Sequence, residues 1–312
     1  MPDHYLVTGA MGCIGAWTLD HLVQQGKHAV SFDLSDNRQR LDLLMSKAEQ
    51  NAITFVQGDL TSFDQVNAVM RDQQITHIVH LAALQVPFCR ANPVVGAQVN
   101  VTGTVNIFEA ARQNGIQHLT FASSMAVYGP ASDYPPGLLA ADAPMLPRTL
   151  YGVYKVADEG IAKIYWQDYQ LSSTWLRPYT VYGLGRDQGT TSEPTKAMQA
   201  AAKGQNYAIN FGGAQQFHYA SDIARQFIAA AEQPLKGAFG FNPGGPVTKL
   251  TEIAQIIMRI KPDVQITVAD SVLPFAEGCD GSAIRQAFAQ VYDTPLEDGV
   301  RETIARFEKI GM

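Results

Sequence analysis

The stretch that decides the fold is HYLVTGAMGCIGAWTLDHLVQQGKHAVSFD, residues 4–33. Its apolar segment 5–8 predicts a strand, segment 17–25 has the periodicity of an amphipathic helix, and segment 29–33 returns to a strand pattern. A helix between two such strands predicts a right-handed βαβ unit with parallel strands. The chain therefore begins with the building block of a parallel α/β sheet.

Three glycines, Gly9, Gly12 and Gly15, occupy the junction between this first strand and helix. Because they have no side chains, backbone N–H groups and the helix N-terminus can approach a diphosphate closely. The spacing differs from the commoner G-x-G-x-x-G, so an ordinary turn is the alternative for the loop alone. Its position after the first strand favours a dinucleotide site, which would also include Cys13 and Ile14.

Acidic residues follow the second and third strands. Asp33 ends the second strand, where a carboxylate would accept hydrogen bonds from both ribose hydroxyls and repel a 2′-phosphate, so NAD is predicted over NADP. Arg38 and Arg40 lie nearby and keep NADP as the alternative. Asp59, followed by Leu60, would either bind the adenine amine or cap the next helix, and the sequence supports both equally.

The alternation of strands and helices continues through the first half of the chain. Near-continuous apolar strands are typical of a sheet covered by helices on both faces, so we predict an α/β fold with a Rossmann-type, doubly wound parallel sheet. The predicted strands are residues 53–57, 77–81, 118–123 and 173–177, and the clearest helices are 94–114 and 151–169.

The rhythm changes after the last of these strands, where Pro178 and a glycine-rich stretch interrupt the pattern. We predict that residues 1–177 form the NAD-binding Rossmann domain, to which 217–242 returns. Residues 178–216 and 243–312 are predicted to form a smaller, mainly helical C-terminal substrate domain. The elements predicted after the change are helices 193–203, 222–232, 250–260 and 296–309 and a strand at 239–242.

Composition argues against several classes of protein. The 312 residues have a formal net charge of −6 and no lysine or arginine run, which argues against a nucleic-acid partner. No stretch approaches the roughly 18 uninterrupted apolar residues of a membrane span, and the first strand pattern starts too early for a signal peptide. Cys13, Cys89 and Cys279 form neither a disulfide framework nor a metal-ligand pattern. We therefore expect a cytoplasmic protein that binds no metal.

Tyr151 and Lys155 are four residues apart on a predicted helix and therefore share one face. Ser124 ends the fifth strand, at the edge where ligands bind to open parallel sheets. Removing a hydride from an alcohol requires a base for the hydroxyl proton, and a lysine ammonium beside the tyrosine would favour its phenolate. The serine hydroxyl would orient the reacting oxygen. A solvated helix face is the alternative for the Tyr/Lys pair alone, but the glycine turn and Asp33 favour a hydride-transfer site.

With these residues the chain resembles the extended short-chain dehydrogenase/reductases, the group of NAD-dependent sugar epimerases and dehydratases. The resemblance covers nearly the whole chain, and its motifs are specific for the family but much less so for the substrate. Beyond the glycine turn and the Tyr/Lys pair, it rests on HLAA at 80–83, Asn100, SSMAVYG at 123–129, LRPYTVYG at 176–183, YASDIA at 219–224 and LEDGVR at 296–301.

The resemblance implies a role for each matching residue. Tyr151 is the base, Lys155 also binds the nicotinamide ribose, and Ser124 polarises the substrate oxygen. Met125 and Arg186 are expected to join Ser124 and Tyr151 around the substrate. The remaining residues expected around the cofactor are Leu81, Ala82, Ala83, Asn100, Ser123, Pro178 and Val181.

Departures from the family pattern limit the chemistry. Dehydratases of this group have an Asp-Glu pair after the catalytic serine or threonine, and decarboxylases have a glutamate at the second position. Here these positions are Met125 and Ala126, which argues against both reactions. Nucleotide-sugar enzymes usually have a phosphate-binding arginine where this chain has Gln215 and Gln216. Arg186, in a glycine-rich loop, would instead hold a carboxylate or phosphate, or be a solvated loop residue.

The sequence thus predicts an NAD-dependent oxidoreductase that takes a hydride from a secondary alcohol or hemiacetal of a sugar or sugar acid lacking a nucleotide. One alternative is an NAD-dependent sugar or nucleotide-sugar epimerase that keeps its cofactor, because the same three residues serve both reactions. A second is oxidation of an amino alcohol, as in L-threonine dehydrogenases, which resemble the Gly-Thr-Thr run at 189–191. A non-enzymatic dinucleotide sensor would not need these residues intact. The resemblance also implies a homodimer formed through the helices near 94–114 and 151–169.

Overall fold

The computed structural model describes residues 3–311 of the chain. The opening stretch forms the predicted strand, helix and strand, and Gly26, at a φ of 67°, ends the helix and turns the chain into the second strand. In chain order the strands are β1 His4–Thr8, β2 His28–Asp33, β3 Ile53–Gln57, β4 His77–His80, β5 His118–Ala122, β6 Ser172–Leu176, β7 Thr180–Tyr182, β8 Tyr207–Ile209, β9 Ala214–Tyr219, β10 Ala238–Phe241, β11 Val247–Lys249 and β12 Ile266–Val268.

The predicted helices are present, but the first begins at Cys13 rather than at residue 17, and segment 94–114 is interrupted by a π-helical turn at Gln98–Thr102. Within residues 3–311, no helix combines the length and the apolar character needed to cross a bilayer. The α-helices are α1 Cys13–Gln24, α2 Gln39–Asp42, α3 Lys47–Gln50, α4 Phe63–Asp72, α5 Val86–Ala91, α6 Pro93–Ala97, α7 Gly103–Gln113, α8 Leu150–Tyr169, α9 Glu193–Ala202, α10 Ala220–Glu232, α11 Leu250–Ile260, α12 Ser282–Ala287 and α13 Leu296–Lys309, with 3₁₀ turns at Met125–Val127, Ala131–Asp133 and Thr190–Ser192.

Seven strands among the described residues form one parallel sheet in the order β10-β6-β5-β4-β1-β2-β3. The order reverses beside β1, because the chain leaves β1 toward β2 and β3 and returns to β4 on the other side. In such sheets ligands bind at the carboxyl ends of the strands near this point of reversal. β1 ends at Thr8 opposite His80 of β4, so the glycine turn lies at that crevice. The predicted α/β fold with a Rossmann-type, doubly wound parallel sheet is confirmed.

Helices cover both faces of this sheet. Leu6 packs into the apolar layer beneath α4, α7 and α8. Its neighbour Val7 packs into the opposite layer, beneath α1 and α10. This alternation is the two-residue period of a strand. Burial of both faces explains why the strands are almost continuously apolar.

The C-terminal part contains more β-structure than predicted. α9, α11 and α13 pack around a separate apolar core, and five short strands form two small sheets beside it, β11-β9-β7 and β12-β8. These strands are three to six residues long. Gln216 of β9 is fully buried, and its amide nitrogen donates hydrogen bonds to the backbone carbonyls of Gly245 and Cys279. A hydrophobic pattern does not reveal a strand that buries a polar side chain in this way. The description of this part as mainly helical is therefore incomplete.

Part of segment 217–242 lies against the central sheet. α10 packs on α1, and β10 pairs with β6 at the edge of the sheet. β9, however, continues across residue 217 from the smaller sheet. The division of the chain into domains stays a prediction.

Candidate active site

The glycine turn is packed too tightly for side chains. Gly9 has a φ of 65°, and a Cβ atom there would lie 2.6 Å from the backbone nitrogen of Ala82. A Cβ on Gly15 would lie 2.2 Å from the Gly9 carbonyl oxygen. α1 begins at Cys13, and Gly12 at its N-cap has no side chain that could occupy the first N–H groups. The turn therefore presents backbone N–H groups and the positive end of a helix, which together suit a diphosphate.

Asp33 is tied to this turn at the end of β2, where its carboxylate accepts a hydrogen bond from the Met11 N–H at 2.9 Å. Both nearby arginines have contacts within the protein, and Arg40 also donates to the Met11 carbonyl in the glycine turn at 2.7 Å. Arg40 pairs with Asp187 at 2.6 Å, and Arg38 stacks on a phenylalanine ring 3.5 Å away. An acidic side chain beside engaged arginines favours ribose hydroxyls over a 2′-phosphate.

Asp59 lies in the turn after β3. Its Oδ1 accepts hydrogen bonds from both the N–H and the hydroxyl of Thr61 at 2.8 Å, while Ser62 is the N-cap residue of α4. Asp59 is therefore not the N-cap residue of α4; its hydrogen bonds to Thr61 stabilise the turn that precedes the helix. Asp59 and Leu60 also line the larger cavity described next, and a role toward the adenine stays a prediction.

Two cavities meet along the carboxyl edge of the sheet. The larger, of about 600 Å³, extends from Asp33 past the glycine turn to the segment after β4. The smaller, of about 200 Å³, contains the three predicted catalytic residues. Cys13, Ile14 and Arg186 line both cavities, which therefore join at the N-terminus of α1. An acidic end, a glycine turn in the middle and the catalytic residues beyond it fit a bound dinucleotide.

The predicted catalytic residues come together in the smaller cavity. Ser124 follows β5 by two residues, and its Oγ accepts a hydrogen bond from the Ala126 N–H at 3.1 Å. α8 packs onto this turn so closely that a Cβ on Gly152 would lie 2.2 Å from the Ala126 carbonyl oxygen. This contact brings Tyr151 to Ser124. The Lys155 ammonium lies 5.9 Å from the centroid of the Tyr151 ring.

Lys155 has a buried partner that sequence reasoning did not single out. Its Nζ donates a hydrogen bond to Oδ2 of Asp158 at 3.0 Å, and both side chains are buried. Burial opposes the charge on Lys155, but Asp158 and Tyr151 outweigh it and raise the pKa of Lys155 above its ordinary value. Burial also raises the pKa of the Asp158 carboxyl to about 6, although Lys155 opposes this shift. At neutral pH the two groups therefore form an ion pair.

A second buried network supports the serine. Arg177, at the end of β6, forms a two-pronged ion pair with Glu159 of α8 at 2.6 and 2.7 Å. Ser123, at the end of β5, donates to the same carboxylate at 2.6 Å. All three side chains are buried. The network thus fixes the residue before Ser124 to the helix that carries Tyr151.

Arg186 reaches the smaller cavity from the loop after β7. Its Nη2 donates to the Thr191 hydroxyl at 3.2 Å, and its buried Nε has no hydrogen-bond partner in the described part of the chain. The loop packs on Gln85, since a Cβ on Gly189 would lie 2.1 Å from Oε1 of that side chain. The arginine is therefore held beside the catalytic residues.

Gln215 of β9 occupies the position where nucleotide-sugar enzymes usually have their phosphate-binding arginine. It is only 3% exposed, and its Oε1 accepts a hydrogen bond from the Thr180 hydroxyl at 2.6 Å. Gln216 is likewise bonded through both its amide nitrogen and its amide oxygen to the backbone of Cys279. Neither glutamine lines either of the two cavities.

Nearly all the residues predicted for the site line one of the two cavities. Asn100 does not, because it lies behind the cofactor side, where its Oδ1 accepts from the Leu84 N–H at 2.7 Å and its Nδ2 donates to the Leu84 carbonyl at 2.9 Å. The predicted residues in the smaller cavity are Cys13, Ile14, Leu81, Ala83, Ser123, Ser124, Met125, Tyr151, Lys155, Pro178, Val181 and Arg186; those in the larger one only are Gly9, Gly12, Gly15, Asp33, Asp59, Leu60 and Ala82.

Other residues of the smaller cavity were not predicted because they come from loops without a catalytic motif. Thr190 and Thr191 belong to the Gly-Thr-Thr run, which was noted only as a likeness to threonine dehydrogenases. Tyr179 belongs to the LRPYTVYG motif between the predicted Pro178 and Val181 but was not itself predicted, and the sequence holds no comparable signal for Gln85 and Phe275.

Known proteins share this architecture. A model of the NAD dependent epimerase/dehydratase family matches residues 5–240. The UDP-glucose 4-epimerase of Mycolicibacterium smegmatis is 32% identical over 253 residues, which are 79% of this chain and 78% of that protein. The solved complex of Thermus thermophilus UDP-glucose 4-epimerase with NAD has a TM-score of 0.83 and 25% identity, covering 97% of this chain and 98% of that one.

An L-threonine dehydrogenase from Clostridium difficile has a TM-score of 0.87 over 99% of both chains, but at 20% identity this shows the fold alone. The family match and the relatives confirm the predicted resemblance, the class of enzyme and the cofactor NAD. The chain belongs to the NAD-dependent epimerase/dehydratase family of the extended short-chain dehydrogenase/reductases.

Proposed function

We propose that this enzyme uses NAD to oxidise a secondary alcohol or hemiacetal of a sugar or sugar acid that carries no nucleotide. The observation that supports this most directly is the state of Gln215, which replaces a phosphate-binding arginine. Its side chain is buried and bonded to Thr180 at 2.6 Å, so no two-pronged cation is available at this position for a diphosphate.

The size and charge of the smaller cavity support the same substrate class. Its volume of about 200 Å³ lies below the roughly 300–1,000 Å³ of sites for drug-sized ligands. The reactive ring of the cofactor would occupy part of this space. Arg186 adds a cation to the lining of this cavity, which would pair with a carboxylate of a small substrate.

Each predicted catalytic residue has one task in this reaction. Bound NAD supplies the hydride acceptor. The Ser124 hydroxyl donates a hydrogen bond to the reacting oxygen, and the Tyr151 phenolate takes the hydroxyl proton. Lys155 stabilises the phenolate through its charge before the proton moves. Met125 and Ala126 offer no carboxyl group, so the site has no acid at these positions for elimination or decarboxylation.

Absorbance of NADH tests this function directly. The protein is mixed with excess NAD and, separately, with free sugars, sugar acids, L-threonine and nucleotide sugars. We expect NADH to accumulate far beyond the enzyme concentration with a free sugar or sugar acid. Tyr151→Phe should abolish turnover and retain NAD binding. Turnover of nucleotide sugars alone would contradict the proposal, and unchanged function in Tyr151→Phe would point to a dinucleotide sensor.

Two other substrate classes are in the panel because related proteins act on them. The M. smegmatis relative is named a UDP-glucose 4-epimerase, and the relative from Thermodesulfobacterium geofontis a UDP-glucuronate 4-epimerase. Interconversion of a sugar without release of NADH would favour the epimerase alternative. Release of NADH with L-threonine would favour oxidation of an amino alcohol, and the Thr190–Ser192 turn beside Arg186 would then lie next to the substrate.

We also propose that the enzyme is a cytoplasmic homodimer. Val94 of α6 and Val153 and Ile164 of α8 are 67%, 47% and 51% exposed, on the two segments implied to pair. Exposed apolar side chains on neighbouring helices favour a protein interface. Light scattering should give twice the chain mass of 34.0 kDa, and Ile164→Lys should halve that value. A monomer at micromolar concentration would contradict the dimer.

A further inference from the structure

Asp158 is a buried carboxylate in contact with the catalytic lysine. It lies three residues after Lys155 on α8 and is fully buried, and its Oδ2 accepts the hydrogen bond from Lys155 at 3.0 Å. Its Oδ1 has no hydrogen-bond partner among residues 3–311. An ionised carboxylate is costly to bury unless an opposite charge compensates it. The two side chains therefore depend on each other for their charges.

Titratable groups on β4 and α5 do not take the place of Asp158. His80 of β4 is neutral, because burial, helped by the Lys155 charge, lowers its pKa to about 3. Cys89 of α5 stays a thiol, because burial raises its pKa. Neither group supplies a negative charge to the lysine.

The remaining neighbours on α7 and α8 are also engaged or uncharged. Glu159 is paired with Arg177 at 2.6 Å. Thr104 of α7 is uncharged; its hydroxyl donates to the Asn100 carbonyl at 2.6 Å and also acts to lower the pKa of Asp158, less strongly than Lys155 does. Tyr151 is negative only as the phenolate. In the described part of the chain, Asp158 is thus the carboxylate in contact with Lys155.

We propose that Asp158 is a positioning residue that keeps Lys155 protonated and holds its ammonium group beside Tyr151. This rests on the proposed function, in which Lys155 stabilises the phenolate of the base. Without the carboxylate, burial would dominate and lower the pKa of Lys155, as it does for buried lysines in general. A lysine that has lost its proton no longer stabilises the phenolate, so activity would fail first at alkaline pH.

Competitive acetylation followed by mass spectrometry tests this without any substrate, because Lys155, although only 2% exposed, lines the smaller cavity. The protein is labelled with a trace of acetic anhydride between about pH 7 and about pH 11. Labelling of Lys155 is normalised to Lys163, an exposed lysine of the same helix. In Asp158→Asn we expect the midpoint for Lys155 to move down by at least about one pH unit. The exposed Asp168→Asn removes the same charge from α8 and should leave the midpoint unchanged.

The pH dependence of kcat/KM gives the second readout. Above the shifted midpoint we expect the value for Asp158→Asn to fall about tenfold per pH unit, while the parent enzyme stays level. Should this variant not fold, Asp158→Leu removes the carboxylate without burying an unsatisfied amide and gives the same comparison.

The outcomes separate this proposal from the proposed function. An unchanged Lys155 midpoint in a folded variant overturns the role of Asp158, whatever the activity. A lowered midpoint in a protein that oxidises none of the tested sugars or sugar acids supports the hold of Asp158 on Lys155 and refutes only the proposed function.

Discussion

Replacing Gly152 with alanine should separate the base from the serine. The new Cβ would lie 2.2 Å from the Ala126 carbonyl oxygen, a distance that real Cβ atoms essentially never show. Since ordinary contact begins near 3.4 Å, α8 or the turn at 125–127 must move by about 1 Å. A displacement of about 1 Å between reacting groups costs about 100-fold in rate, which corresponds to about 2.7 kcal/mol in the activation barrier. We therefore expect kcat of Gly152→Ala to fall about 100-fold.

Steady-state production of NADH measures this effect, with thermal unfolding recorded on the same samples. Gly160, on the same helix, is the matched control because a Cβ there meets no atom within 4 Å. Gly160→Ala should keep its kcat and gain about 1 kcal/mol of stability from its helix propensity. Light scattering of both variants keeps any change in assembly apart from the change in rate. A folded Gly152→Ala enzyme within about threefold of the parent rate would refute the reasoning that this contact sets the distance between Tyr151 and Ser124.

Three further results are expected. Glu159→Gln leaves Arg177 buried without its charge partner, so its unfolding free energy, measured in urea, should fall by about 3–5 kcal/mol. The control Glu109→Gln removes a carboxylate from the partly exposed pair with Arg112 and should cost less than about 1 kcal/mol. Equal losses in the two variants would contradict this prediction. Burial lowers the pKa of His118 from 6.5 to about 4, so the stability present above pH 6.5 is lost as the pH falls toward 4, by at most about 3 kcal/mol. His118→Gln should flatten that loss in urea unfolding between these pH values, and an unchanged slope would count against it. Asp33→Asn should weaken NAD binding at least about tenfold in calorimetry and narrow the preference over NADP; equal NAD affinity would argue against its contact with the ribose.

The central sheet and the cofactor side of the site could be predicted because their signals are local. β1 and β2 are recognisable as short apolar runs. The glycine turn is recognisable because it depends mainly on the backbone of residues that are neighbours in sequence. Tyr151 and Lys155 could be paired because four residues on a helix return to the same face. Most strand and helix ends differ from the prediction by only a residue or two, since the hydrophobic pattern fades gradually at these ends, but α1 begins at Cys13, four residues before its predicted start.

The features that could not be predicted depend on partners that are distant in sequence or on burial itself. In β9, the buried Gln216 side chain donates a hydrogen bond to the backbone carbonyl of Cys279, which lies 63 residues later in the sequence. Asn100 was expected at the cofactor, but the fold places its amide against the backbone of Leu84. Asp158 has its partner only three residues away. Such a pair on a helix is usually a weak surface contact, and only the folded structure shows that both side chains of this pair are buried.

The edge strand β10 also affects how the chain folds as it is synthesised. β6 is an inner strand only because β10, about 65 residues later, pairs with it. Until residue 241 has left the ribosome, one side of β6 is an open row of N–H and C=O groups beside the large apolar Trp175. Nascent chains brought close together on one messenger RNA would be most prone to pair with each other during this interval. The exposure of this edge therefore ends during translation, when β10 pairs with β6, rather than after release.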